Sequence, residues 1–243
     1  EVVFENCSSG ALRTDLRTLK SFDGHFISDN ANCFEVIRLT QGMLPRFPAG
    51  RMFRWLVLAG TGDWRPEERN ADEIIVTPRV ATWYNFEVTN LEFALCATMM
   101  GQFGLSGDIA ALRPETLAKL AAKIAFYKSR RATLGRAEVH LLTPPEPVWL
   151  HEGWAVFEYH DPQTGEIDVF AFHLDSDGDA RRYFPLRSAN PALRYREAGS
   201  GNVISGAELS KAGLGIDFGY DEHGEYRGRW LTLLPESNPE ASI

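Results

Sequence analysis

Short continuous apolar runs alternate with longer amphipathic stretches through the first 137 residues, and beyond about residue 143 the pattern changes to brief, partly alternating segments. The runs "VVFE" (2–5), "HFIS" (25–28), "FRWLVLAG" (53–60) and the weaker "GQFGL" (101–105) predict strands buried on both faces, as in a parallel sheet. Helices are predicted between them. One covers 33–44 and ends before Pro45, and one covers 89–100 with Thr89 or Asn90 as N-cap. A third covers 114–135, with Pro114 in its first turn and Gly135 as its stop. Leu117, Leu120, Ile124, Tyr127 and Leu134 fall close to one face of it. Glu115 and the pair Arg130 and Arg131 complement its dipole at opposite ends. The order strand, helix, strand, helix argues for about four βα units, too few to close an eight-stranded barrel. Residues 60–81 read as one long loop.

After "TPPEP" (143–147) come "WAVFEYH" (154–160), "DVFAFHLD" (168–175), "RRYFPLR" (181–187), "ALRYRE" (192–197) and "RWLTLLP" (229–235). Turn-like stretches separate them and no helix-length periodic segment interrupts them, which predicts an antiparallel all-β module of sandwich type. Trp149, Trp154, Tyr159, Tyr183 and Trp230 are either core residues of that module or surfaces on which sugars stack, and core is the better reading. "DSDGD" (175–179) opens like a calcium loop, but the twelfth position from Asp175 is Leu186 where an acidic ligand is needed, so it reads as a plain turn.

Composition narrows the function. The formal net charge is −8, with Lys and Arg scattered, so a nucleic-acid partner is not expected. No apolar run approaches the ~20 residues that span a bilayer, so no membrane partner is expected either. The chain starts Glu1, Val2, Val3, without an initiator Met or a signal-peptide pattern, and is expected to be a fragment whose targeting region is missing. Cys7, Cys33 and Cys96 are odd in number and widely spaced, which fits a reducing compartment and a cytoplasmic location. No HExxH, GxGxxG or P-loop spacing occurs, so neither a catalytic metal nor a cofactor is expected.

Two stretches carry candidate chemistry. Asp29 stands at the end of a predicted strand, where a carboxyl can act as acid, base or nucleophile. Alternatively, Asp29 or Asn30 caps the helix that begins near Cys33. The loop Cys7, Ser8, Ser9, Gly10 follows the preceding strand, and its small residues suit close approach to a ligand. Arg13 and Asp15 form a local pair, contact a polyol or are simply solvated. Cys7 as a nucleophile lacks a His placed beside it by the sequence.

Taken together, "ENCSSGALRTDLRTLKSFDGHFISDN" resembles the stretch around the acid/base carboxylate of glycoside hydrolase family 36, the melibiase-type α-galactosidases. In that family a Cys-Ser-rich segment with glycine follows one barrel strand, then come an Arg and an Asp, then Ser-Asp-Asn at the end of the next strand. "GQFGLSGDIAALRPETLAKLAAKIAFYKSRR" and "SGAELSKAGLGI" (205–216) resemble later segments of the same family.

The resemblance implies an α/β plus all-β chain. Residues 1–137 would be the C-terminal half of a (β/α)8 TIM barrel, and residues 138–243 an antiparallel β-sandwich domain. It implies a retaining hydrolase acting on terminal α-galactosides, as oligosaccharide or glycoconjugate, with Asp29 as acid/base. Cys7 and Gly10 would be sugar-binding positions, with Ser8 and Ser9 beside them, and Arg13 and Asp15 would complete the substrate-binding set. The family's nucleophile lies in a Lys-Trp-Asp type motif that this sequence lacks, so the chain would hold the acid/base half of a site and be inactive alone. The family usually has Trp at Phe26, Thr at Ile27, Thr-Asp at Ala31 and Asn32, and glycine at Ala11, which leaves another α-glycoside open. Galactosyl transfer by the same site and a non-catalytic carbohydrate-binding or assembly module are the competing functions. A homo-oligomer is also open.

Overall fold

The computed structural model describes residues 2–7, 10–59, 73–77, 86–175, 179–219 and 227–236. They form two compact units, residues 1–135 with 146–151, and residues 136–145 with 152–243.

In the first unit, β1 (Glu5–Asn6), β2 (Gly24–Phe26), β3 (Met52–Leu58) and β6 (Gln102–Gly107) pair in parallel, in the order β1-β2-β3-β6. The apolar runs located β2, β3 and β6, whereas the run 2–5 overlaps β1 at Glu5 alone and its Val2, Val3 and Phe4 are exposed, not buried on both faces. Residue alternation splits the two faces. Ile27 and Met52 turn to the helical side, where they share a core with Val36 of α1 (Cys33–Met43) and with Phe47. On the opposite face the ring of Phe26 lies 5.4 Å from that of Phe53 and 6.0 Å from that of Trp55.

α2 (Leu91–Thr98) is capped by Asn90, whose side chain accepts from the N–H groups of Glu92 and Phe93. α3 (Pro114–Arg136) buries Thr116, Leu120, Tyr127, Thr133 and Leu134. Leu117, expected on that face, is 42% exposed. The predicted long loop 60–81 is corrected in part. Residues Glu73–Val76 form β4, which pairs antiparallel with β3 and with β5 (Glu87–Asn90). "EIIV" carries the strand pattern within an otherwise polar stretch, and pairing with both neighbours realises it. Residues 60–72 and 78–81 lie outside the described residues. The segment 146–151 is fastened to α1, where Arg38 Nε donates to the Leu150 carbonyl at 3.0 Å and the His151 ring stacks on Phe34 at 4.8 Å.

The second unit is antiparallel. β7 (Glu138–Leu141), β8 (Trp154–His160), β9 (Ile167–His173), β11 (Arg194–Glu197), β12 (Val203–Ser205) and β14 (Arg227–Glu236) make one sheet in the order β12-β11-β14-β9-β8-β7. β10 (Arg181–Phe184) and β13 (Leu214–Asp217) make a separate two-stranded ribbon. The two share one core, in which Phe184, Leu214 and Ile216 meet Val156, Val169, Ala171 and Leu233. Tyr159 and Trp230 are buried as core residues, whereas Trp149 and Tyr183 are exposed. A short helix, α4 (Gly206–Lys211), interrupts the strands where none was expected. It is too short for periodicity to reveal, although Ser205 caps it through the Glu208 N–H.

Candidate functional site

Because β1 and β2 run in parallel, the loop after Asn6 and the loop after Phe26 emerge at the same edge of the sheet. That edge, at the carboxyl ends of parallel strands, is where ligands bind in α/β sheets. The sequence-predicted residues lie on these two loops.

The buried Asn6 side chain fastens the first loop. Its Nδ2 donates to the Arg13 carbonyl and to His25 Nδ1, each at 3.2 Å. The chain then turns through Gly10 (φ 61°) and Ala11 (φ 70°), and Thr14 N–H closes the turn on the Ala11 carbonyl at 3.0 Å. This turn carries Gly10 against the second loop. A Cβ on Gly10 would stand 2.7 Å from Asp29 N and 3.3 Å from Asp29 Oδ2, so only glycine admits this approach.

Asp29 is exposed, and among the described residues its carboxylate has no hydrogen-bond or ion-pair partner. The helix cap that competed for it is elsewhere, since Asn32 Oδ1 accepts from Glu35 N–H at 3.1 Å and starts α1. Asn32 Nδ2 also donates to Glu87 Oε2 at 2.8 Å. Asn30 braces the turn. Its Oδ1 accepts from Asn32 N–H at 2.9 Å, and its Nδ2 donates to Glu35. Among the described residues the neighbours of Asp29 therefore do the structural work of the turn.

Cys7 is an exposed free thiol. Desolvation, then the charges of Glu5 and Asp29, push its pKa up, which places Asp29 within electrostatic reach and keeps the sulfur a thiol at neutral pH. A neutral thiol beside a carboxylate suits contact with a ligand better than nucleophilic attack. The structure thus brings Gly10 against Asp29, with Cys7 on the same loop as Gly10. Ser8 and Ser9 lie outside the described residues.

Arg13 and Asp15 are exposed, and Asp15 is engaged locally. Its Oδ1 accepts from the N–H groups of Arg17 and Thr18, each at 2.8 Å, and so starts a 3-10 turn at Thr18–Lys20. The Thr18 N–H above all, outweighing desolvation, holds the Asp15 carboxyl below its usual range.

Sequence reasoning missed Asn32 and the left-handed conformation shared by Gly10 and Ala11. The Asn32–Glu35 spacing was a readable helix-start signal, but alanine at position 11 gives no sign of a positive φ. Among the described residues, no group of three or more His, Cys, Asp or Glu could hold a metal ion, and no helix is long and apolar enough to cross a membrane. Residues 176–178 of "DSDGD" lie outside the described residues.

No family model matches the sequence, and no curated protein matches it. Solved structures do. The galactosidase domain of an alpha-galactosidase-sucrose kinase is 21% identical at a TM-score of 0.78, covering 97% of this chain and 29% of that one. The GH36 alpha-galactosidase AgaA from Geobacillus stearothermophilus is 20% identical at 0.77, with the same coverage. The alpha-galactosidase from Lactobacillus brevis is 17% identical at 0.78, covering 98% and 29%. At these identities the likeness is one of fold. This sheet-rich chain has the fold of a portion of these alpha-galactosidases and spans 29% of their length.

Proposed function

We propose that this chain carries the acid/base half of a retaining glycoside hydrolase site for terminal α-galactosides, with Asp29 as the acid/base. The observation that carries the reading is the close approach of Gly10 to Asp29, whose exposed carboxylate has no partner among the described residues. That arrangement offers polar groups to sugar hydroxyls on one side and a proton donor on the other. The fold likeness to alpha-galactosidases supports it, and variants of the Geobacillus stearothermophilus enzyme have been crystallised with raffinose and with stachyose. Cys7 and Gly10, with Ser8 and Ser9, contact the sugar in this reading, and Arg13 and Asp15 complete the substrate-binding set.

The first unit is on this reading the C-terminal half of a (β/α)8 barrel. Two features support it. Among the described residues β1 pairs only with β2 and β6 only with β3, so the parallel sheet has two open edges. Val3 and Phe4, which lead into β1, are exposed, although parallel sheets normally have both faces covered. The missing strands would bring the nucleophilic carboxylate to ~5–5.5 Å from Asp29.

In the cycle that follows, Asp29 protonates the leaving oxygen while the nucleophile attacks the anomeric carbon. As a carboxylate it then takes a proton from the water that releases the sugar. The test is Asp29→Asn in the polypeptide that supplies the rest of the barrel. Hydrolysis of raffinose falls by about 10²–10⁴-fold, while an aryl galactoside with an excellent leaving group loses less in glycosylation. Full activity on raffinose refutes the assignment, and so does turnover by the 243-residue chain alone.

A further inference from the structure

We propose that the outward face of the β10–β13 ribbon is a second, non-catalytic sugar-binding surface, on which Tyr183 takes the apolar face of a neutral pyranoside while Arg181 and Asp217 hold its hydroxyls.

The ribbon's register pairs Arg181 with Asp217 and Tyr183 with Gly215. Alternation sends Phe184, Leu214 and Ile216 into the core and leaves Arg181, Tyr183, Gly215 and Asp217 outside. Tyr183 is 52% exposed, an aromatic on which the core makes no demand. Its ring is nevertheless held in place. It lies across Gly215, where a Cβ would stand 2.9 Å from the ring. The Arg181 Nη2 donates to the Tyr183 hydroxyl at 2.8 Å, and the guanidinium carbon is 5.6 Å from the ring centroid. Asp217 Oδ2 lies 3.8 Å from Arg181 Nε, and Asp217 Oδ1 accepts from Gly219 N–H at 2.8 Å. The result is a preorganised ring flanked by a fork of donors and a carboxylate acceptor, so little ordering is needed on binding.

Charge decides the class of ligand. Asp217 stands beside the guanidinium, and Asp179 Oδ1 accepts from the Arg181 N–H at 3.0 Å. An anion approaching Arg181 meets two carboxylates, whereas a neutral polyol can use both signs. A pyranose has an apolar C–H face for the negative face of an aromatic ring and vicinal hydroxyls that match a guanidinium fork and a carboxylate. The surface stands on its own geometry. The choice of α-galactosides as probes rests on the function proposed above.

The experiment is amide-shift titration and calorimetry of the full 243-residue chain with raffinose, stachyose and, as a sugar without galactose, maltotriose. Saturable binding at millimolar sugar is expected, with shifts on β10 and β13. Tyr183→Ala weakens it about five- to tenfold, Asp217→Asn weakens it, and Tyr183→Trp keeps it. Circular dichroism checks that each variant folds, and Asp217→Asn keeps the ring over Gly215 should Tyr183→Ala unfold. If Tyr183 serves only to shield Gly215, no sugar binds and the proposal fails. It fails equally if Tyr183→Ala binds like the parent, if only a polyanion such as tripolyphosphate binds, or if the amide shifts fall on the loops after β1 and β2 and not on β10 and β13, which locates the sugar at the other site. Maltotriose binding as tightly as raffinose upholds the surface while detaching it from α-galactosides.

Discussion

The backbone of Gly10 lies against the carboxylate of Asp29, so close that a Cβ on Gly10 would stand 3.3 Å from Asp29 Oδ2 and 2.7 Å from Asp29 N. Gly10→Ala therefore meets two obstacles. A positive φ of 61° costs an L-residue about 1–2 kcal/mol. The nearest obstructing atom is main-chain nitrogen, which cannot swing aside as a side chain can. A loss of at least about 1 kcal/mol is expected in urea unfolding. Unchanged stability would show that the loop relaxes freely and that Gly10 does not position Asp29.

The neighbouring Ala11 is in the same left-handed region, at φ 70°, without the freedom of glycine. Ala11→Gly relieves that strain but gives the unfolded chain more entropy, and the two effects oppose each other. A net gain of about 0.5–1 kcal/mol is expected in the same measurement, opposite in sign to Gly10→Ala. Destabilisation by Ala11→Gly would sink the strain argument. The family resembled by this stretch usually has glycine at Ala11, and the positive φ gives that preference a physical basis.

Asp29→Asn separates function from folding. The Asp29 carboxylate has no partner among the described residues, so its neutralisation is expected to leave stability within about 0.5 kcal/mol. The same change acts on Cys7. Its thiol is pushed up by desolvation and then by the charges of Glu5 and Asp29, and a negative neighbour disfavours the thiolate. Removing the Asp29 charge lowers the Cys7 pKa, so alkylation by iodoacetamide should become faster at a given pH. Cys33 and Cys96 are buried and do not compete. An unchanged pH profile of alkylation would mean that Asp29 lies beyond reach of the sulfur.

What could be read in advance follows from how strongly each element depends on its own residues. β3 and α3 were visible because they carry a mainly apolar run or a long face with Pro114 at its start, whereas β1 is the polar pair Glu5–Asn6 at the end of the run that pointed to it. The α2 cap at Asn90 was visible because a cap is a local device. β4 was hidden within a polar stretch, since its four residues become a strand only by pairing with β3 and β5. At the site, Asp29 was legible as a carboxyl at a strand end, but its neighbours were not. The choice of Asn32 over Asp29 or Asn30 as cap depends on the geometry of the turn, in which Asn30 contacts Asn32 and Glu35. The exposure of Tyr183 was not legible either, because it depends on which way a two-residue period faces and on Gly215 across the ribbon.

Stability should also depend on pH through His173. The ring is buried against Trp154, with centroids 4.8 Å apart, and its Nδ1 lies 3.1 Å from Arg227 Nη1. A guanidinium can only donate, so Nδ1 accepts and the proton of the neutral ring sits on Nε2, 3.6 Å from Asp175 Oδ2. Protonation places a second N–H against Arg227. Burial lowers the His173 pKa from 6.5, Arg227 lowers it further, and Asp175 and Asp179 oppose the shift without reversing it. The folded state then binds fewer protons than the unfolded state as pH falls through about 6.5, so stability is complete above that pH and declines below it. His25, also buried, shifts in the same direction, with burial the main cause and Arg51 adding to it. Unfolding midpoints in urea at pH 7.5 and 5.5 should therefore differ, and His173→Gln should narrow the difference by removing one of the two groups. Ordinary carboxylates titrate near 4 and contribute little in that window. An equal pH dependence in parent and variant would mean that His173 is not held neutral by Arg227.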